Sequence, residues 1–107
     1  MARELFSGRI PAELKRQLLT LATRTGRKMN DITEKALEAW LNKHENDEFG
    51  EDDHRRPKRQ REGLQVMLDV ELKRRAEGLA ANNKLDQPKR YPSNLTAVVE
   101  EALREYL

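Results

Sequence analysis

Two short segments of this 107-residue chain carry side chains suited to reading a pattern of hydrogen-bond donors and acceptors. Arg9 lies in LFSGRIP, residues 5–11, and offers a rigid fork of N–H donors that suits two acceptors in one plane. Gln65 lies in GLQVML, residues 63–68, and its amide donates and accepts side by side. Two other stretches set cations beside residues that begin helices: Arg27-Lys28-Met29-Asn30, and Lys89-Arg90 followed shortly by Ser93-Asn94. A helix start presents free amide N–H groups and the positive end of the helix dipole, so basic side chains there make a seat for an anion. Nothing is arranged for catalysis. No nucleophile with its base, paired-carboxylate cleft or glycine-rich phosphate loop occurs, so an enzyme is not expected. His44 and His54 stand among carboxylates, but their spacing fits no calcium loop, and they are expected in a plain solvated linker. The absence of cysteine removes disulfides and thiolate zinc sites. Neither a metal nor a cofactor is expected.

Placing such groups requires elements with a definite face. Residues 5–10 alternate as a half-buried strand does, with Phe6, Gly8 and Ile10 on one side and Leu5, Ser7 and Arg9 on the other. Residues 63–68 alternate likewise, Leu64, Val66 and Leu68 opposing Gly63, Gln65 and Met67. The segments are copies: Glu13-Leu14-Lys15-Arg16 returns 58 positions later as Glu71-Leu72-Lys73-Arg74. One strand cannot form a sheet, but two copies can pair. A slip of one residue would bury Arg9 and expose Phe6, Leu64 and Val66, which argues for the register above.

Each strand runs straight into an amphipathic segment. Pro11 stands where a helix can begin, Leu14, Leu18, Leu21 and Ala22 share its inner face, and Gly26 is expected as its left-handed terminator. Asn30 is expected to cap a second helix, with Met29 packing back on it and a stripe of Ile32, Ala36, Leu37, Trp40 and Leu41. In the second copy, Asp69 is the expected cap, followed by Leu72, Ala76, Leu79 and Ala80. Pro88 and Pro92 then bar a continuous helix. Ser93 or Asn94 caps the last one, whose stripe is Leu95, Val98, Val99, Ala102 and Tyr106. Aligning Ala36-Leu37 with Ala102-Leu103 moves the offset from 58 to 66, an insertion of eight residues. Trp40 and Tyr106 then correspond and are both expected in the core.

With 36% hydrophobic and 37% charged residues, the chain has enough core for one small domain, and neither half is expected to stand alone. Repeats at 1–41 and 62–107 flank a charged, flexible linker at 42–61, which could span roughly 65 Å at about 3.3 Å per residue. Charge is unevenly spread. Residues 1–41 carry eight basic and five acidic side chains, residues 45–53 carry six acidic ones, and Arg55, Arg56, Lys58, Arg59 and Arg61 follow. These five read either as a basic arm or as a solubilising linker; the acidic run is solvated or screens the basic face. Lys15, Arg16, Lys73, Arg74 and Arg75 are expected on solvated helix faces. Neither a membrane-spanning run nor a signal core occurs, and a cytoplasmic location is expected.

The order strand, Pro, helix, Gly-Arg, Asn, helix in GRIPAELKRQLLTLATRTGRKMNDI resembles a ribbon-helix-helix protein of the Arc/MetJ type over residues 5–41. Residues 63–107 resemble it more loosely, since their strand lacks the arginine and their inter-helix connection is enlarged. The family pairs one strand from each of two chains, so a tandem chain looks like a covalent form of that dimer. The resemblance implies a mainly α fold, β-α-α-linker-β-α-α, with a two-stranded antiparallel ribbon on four helices. Pairing within one chain or swapping between two stays open.

It also implies sequence-specific binding of double-stranded DNA with the ribbon in the major groove. The base-reading positions fall on Leu5, Ser7 and Arg9, and by pseudo-symmetry on Gly63, Gln65 and Met67. Arg9 suits guanine, Gln65 adenine, and Leu5 or Met67 a thymine methyl. Phosphate contacts fall on Arg27, Lys28 and Asn30, and on Lys89, Arg90, Ser93 and Asn94. The expected role is a transcriptional repressor or autoregulator of a plasmid, phage or other prokaryotic genome, nucleoid-associated when bound. Further copies of itself on adjacent sites are expected partners, and no membrane or small-molecule effector is. One alternative is a relaxosome-like accessory of plasmid transfer or DNA processing, since tandem forms occur among conjugation proteins. Another is an antitoxin-like or protein-binding module, although the toxin-wrapping tail usual after the second helix is not part of this sequence.

Overall fold

The two alternating segments become strands, and the strands pair with each other. A computed structural model describes residues 2–51 and 60–107. In chain order it contains β1 (Arg3–Pro11), α1 (Ala12–Thr25), α2 (Met29–His44), β2 (Arg61–Asp69), α3 (Val70–Leu85) and α4 (Leu95–Tyr106). The described residues are thus mainly helical, with one small two-stranded antiparallel sheet. Leu5 faces Met67, Ser7 faces Gln65, and Arg9 faces Gly63. Just beyond the ladder, Ala12 N–H donates to Gln60 O (3.0 Å) and Val70 N–H to Ala2 O (3.2 Å), in the same register. Counting inward by twos makes Phe6–Val66 and Gly8–Leu64 hydrogen-bonded pairs. The three pairs named first are the non-hydrogen-bonded ones, where side chains stand closest.

Phe6, Ile10, Leu64, Val66 and Leu68 are buried against the helices in one core. The helical stripes meet them there: Leu14 and Leu18 from α1, Ile32 to Leu41 from α2, Leu72 to Ala80 from α3, and Val98 to Leu103 from α4. Leu21, Ala22 and Leu95 sit at its margin. Gly26 ends α1 with φ 66°, a left-handed conformation that costs glycine nothing. Asp69 caps α3, accepting from the N–H groups of Glu71 (2.8 Å) and Leu72 (3.4 Å). Asn94, rather than Ser93, caps α4 by accepting from Ala97 N–H at 2.8 Å.

Several expectations are corrected. Asn30 does not cap α2; the helix starts at Met29 behind Lys28, which makes no side-chain cap. Its amide oxygen instead accepts from Met67 N–H at 3.2 Å. That N–H points away from β1, at a sheet edge where no strand receives it. Pro11 is the last residue of β1 and precedes the first helical residue. Residues 42–61 are not linker throughout: α2 runs to His44 and β2 begins at Arg61. Phe49 packs on the core, stacked on Trp40 with ring centroids 5.9 Å apart. Tyr106 is exposed although Trp40 is buried. Phe49 and His44 cover Trp40, whereas Tyr106 lines an open groove with Leu21, Arg24 and Leu107. Among the described residues no helix is long and apolar enough to cross a membrane.

Candidate nucleic-acid interface

Opposite the core, the ribbon presents Leu5, Ser7, Arg9, Gly63, Gln65 and Met67, all exposed. They stand as three cross-strand pairs in a row. Leu5 with Met67 is apolar, Ser7 with Gln65 is neutral and polar, and Arg9 with Gly63 is cationic. A Cβ added to Gly63 would meet nothing within 4 Å, so the space opposite Arg9 is open. None of the six is acidic. The carboxylates within the strands are engaged: Glu4 by Lys73 (3.1 Å), Glu62 by Lys15 (3.8 Å), and Asp69 by the N–H groups that begin α3.

Two helix starts flank this face. The beginning of α2 lies against β2 through the Asn30–Met67 bond. The beginning of α4 lies against β1, close enough that a Cβ on Gly8 would fall 2.7 Å from Thr96 Oγ1 and 2.8 Å from Phe6 Cζ. Glycine at position 8 is what lets the helix come so near. Asn30 and Thr96 are related by the offset of 66 that relates the second helices of the two copies.

The residues expected at phosphates are only partly brought together. Arg27 and Lys28 stand at the start of α2, and the Arg27 Nη2 atom is buried without a hydrogen-bond partner among the described residues. Lys89 and Ser93 lie just before α4. Asn30 is committed to the strand and the Asn94 side chain to its cap. Arg90 is drawn off: its guanidinium donates to Phe49 O and lies 3.1 Å from Asp86 Oδ2. Arg55, Arg56, Lys58 and Arg59 lie outside the described residues. Arg61 belongs to no arm. It opens β2, donating to Glu100 Oε1 (2.9 Å) and to Arg9 O (3.2 Å).

That contact was missed in the sequence, and so was a second like it, Arg3 with Glu34 at 3.4 Å. The signal existed, because the offsets of 58 and 66 carry Arg3 onto Arg61 and Glu34 onto Glu100. Of the helix cations, Arg16 and Arg74 are exposed, while Arg75 grips Glu45 through two bonds (3.2 and 2.8 Å). Its hydrogen bonds hold the Glu45 carboxyl below the usual range.

A second charged cluster joins the ends of α2 and α4. His44 Nε2 lies 2.8 Å from Glu105 Oε2 and its Nδ1 2.6 Å from Asp47 Oδ2, while Lys43 Nζ donates to Glu105 Oε1 at 2.7 Å. Hydrogen bonds to Glu105, then to Asp47, raise the pKa of His44. Those from Lys43 and His44 lower that of Glu105. His44 thus sits in a helix and an ion cluster, not in a solvated linker.

No family model matches this chain, and no curated protein or solved structure does either. The functional reading therefore rests on the residues themselves.

Proposed function

We propose that this chain is a tandem ribbon-helix-helix protein that binds double-stranded DNA sequence-specifically, with β1 and β2 lying in the major groove. The observation that carries the reading is the outer ribbon face: six exposed residues in three close pairs, flanked by two helix starts. A two-stranded ribbon fits the width of the major groove, where the four base pairs present distinct donor and acceptor patterns. Arg9 donates two hydrogen bonds to guanine, and Gln65 pairs with adenine. Arg27 and Lys28 at α2, with Lys89 and Ser93 at α4, anchor phosphates on either side and fix the register of the ribbon on the duplex. Its biological role on this reading is transcriptional repression, by occupancy of an operator.

The two copies act as a pseudo-dimer inside one chain. Three features support this. The centre of the strand register falls between Ser7 and Gln65, which are themselves equivalent under the offset of 58. The Arg3–Glu34 and Arg61–Glu100 pairs repeat one contact in both halves. Asn30 and Thr96, also equivalent, each meet a strand from the start of their helix.

Selection of duplexes from a random pool by the full chain, at about physiological salt, tests the proposal. The expected result is an enriched word, with affinity that falls as salt rises at roughly 0.9 log units per phosphate neutralised. A chain that retains no duplex at any salt would refute it. Occurrence of the word at promoters in the source genome is the expectation of a repressor.

A further inference from the structure

The three pairs of the outer face are not interchangeable, and their order gives the face a direction. Leu5 and Met67 are 54% and 37% exposed. Single exposed apolar residues are common on any surface and need no explanation. Here, however, the two stand directly opposite each other at a non-hydrogen-bonded position, where cross-strand side chains come closest. Two residues further along β1 the face is neutral and polar, and two further again it reaches Arg9, with only Gly63 opposite; the pairs beyond these three, Arg3–Asp69 and Pro11–Arg61, are engaged by Glu34, by the start of α3 and by Glu100. One end is therefore an apolar patch, and the other is a guanidinium with room to move.

Resting on the DNA-binding reading, we infer that the ribbon recognises a directional word, with Leu5 and Met67 together contacting a thymine 5-methyl group at one end and Arg9 contacting a guanine at the other. In the major groove the thymine methyl is the apolar feature, and aliphatic side chains recognise it by excluding water. Guanine offers two acceptors in line, which match the arginine fork. From position 5 to position 9 the strand advances about 13 Å, at roughly 3.3 Å per residue. With a base-pair rise of about 3.4 Å, the thymine and the guanine lie no more than about four base pairs apart. A face built from two identical strands would carry the same group at both ends and read a palindrome. This one does not.

The test begins with the word selected by the full chain. Each thymine in it is replaced singly by uracil, which deletes the methyl group and leaves the base-pairing edge intact. Each guanine is replaced by 7-deazaguanine, which deletes one of its two acceptors. Binding is read by fluorescence anisotropy. Demethylating a thymine at one end should weaken binding roughly fourfold, the effect of one buried methyl-sized group. That loss should vanish in the Leu5→Ala/Met67→Ala protein, and the 7-deazaguanine loss should vanish in Arg9→Ala. Because the wild-type protein is compared on two duplexes, folding of a variant does not enter the first result. A palindromic word, indifference to uracil throughout, or methyl sensitivity that survives in Leu5→Ala/Met67→Ala would each overturn the inference while leaving groove binding standing. Retention of no duplex would overturn both.

Discussion

Arg3 and Arg61 hold the same place in the two copies, yet they should contribute unequally to stability. Arg61 Nη1 lies 2.9 Å from Glu100 Oε1, and the two side chains are 29% and 1% exposed. A carboxylate removed so far from water loses several kcal/mol of hydration, which only a close and well-aligned partner offsets. Arg61→Met keeps the aliphatic stem and deletes the guanidinium, so packing is largely preserved. Arg104, one turn along α4 and largely exposed, still approaches Glu100 to 3.8 Å. Breaking a buried pair costs about 3–5 kcal/mol, and that surviving contact puts this substitution at the low end, about 3 kcal/mol. Arg3 and Glu34 are 3.4 Å apart with side chains 43% and 21% exposed; the Glu34 Oε2 atom is itself buried, but Arg3 is open to water, so Arg3→Met should cost about 1 kcal/mol, the top of the range for surface pairs.

Equilibrium urea unfolding of the full chain measures both, through the midpoint at unchanged denaturant slope. For a domain of this size the larger loss corresponds to a fall in Tm of roughly 10–20 °C. Glu100→Gln, added to Arg61→Met, should recover part of the loss, because a buried amide forfeits less hydration than a buried carboxylate. Equal costs for Arg61→Met and Arg3→Met would refute the claim that burial of the carboxylate sets the magnitude.

Other outcomes follow from the same geometry. Gly8→Ala should cost about 1–3 kcal/mol, as overpacking against Thr96 and Phe6 does, whereas Gly63→Ala should stay within about 0.5 kcal/mol; a neutral Gly8→Ala would mean α4 can retreat freely. His44 binds its proton more tightly when folded, so the stability it adds is complete below its ordinary value of 6.5 and is lost as pH rises through the higher folded value. Thermal unfolding followed upward from pH 6.5 should show that loss, and His44→Gln should abolish it; a loss unchanged in the variant would assign it to another group. Arg9→Ala should weaken binding to the selected word by about 1–3 kcal/mol and spare random duplex, equal losses making Arg9 a mere anchor. Lys28→Ala should weaken all duplexes alike and reduce the salt slope by about one, and a loss confined to the selected word would count against a phosphate role.

Local periodicity made much of this fold legible. The apolar stripes, the alternating strands, Gly26 and the Asp69 cap all follow from residues within one or two turns of each other. What stayed hidden depends on contacts far apart in sequence. Asn30 looks like a helix cap by position, but an edge N–H on β2, 37 residues away, claims its oxygen. Arg90 looks like a phosphate anchor beside a helix start, but the Phe49 carbonyl, 41 residues away, takes its guanidinium. The enlarged connection before α4 makes contacts of the same long reach. Tyr91 N–H donates to Gly50 O at 3.0 Å and Glu51 bridges to Arg90, so the enlarged connection and the segment after α2 hold each other. A composition rich in charge read as solvated linker there, because composition does not say which charges find partners.

Comparing the copies position by position separates two kinds of constraint. On the inner face Phe6 corresponds to Leu64, Gly8 to Val66 and Ile10 to Leu68. Packing decides these, and the one small residue among them is the one that Thr96 crowds. On the outer face Leu5 corresponds to Gly63 and Arg9 to Met67, which change chemical type, while Ser7 and Gln65 both stay neutral and polar. In a two-chain assembly such differences could not arise, because both strands would be one sequence; within a single chain each half is free to change. A face that met only water would also drift, but drift toward water favours polar residues. Leu5 set against Met67 in the open is not the polar pair that such drift favours. On the DNA-binding proposal, a groove with unlike ends selects such a pattern. On the same proposal, a directional word follows from joining two unlike copies in one chain.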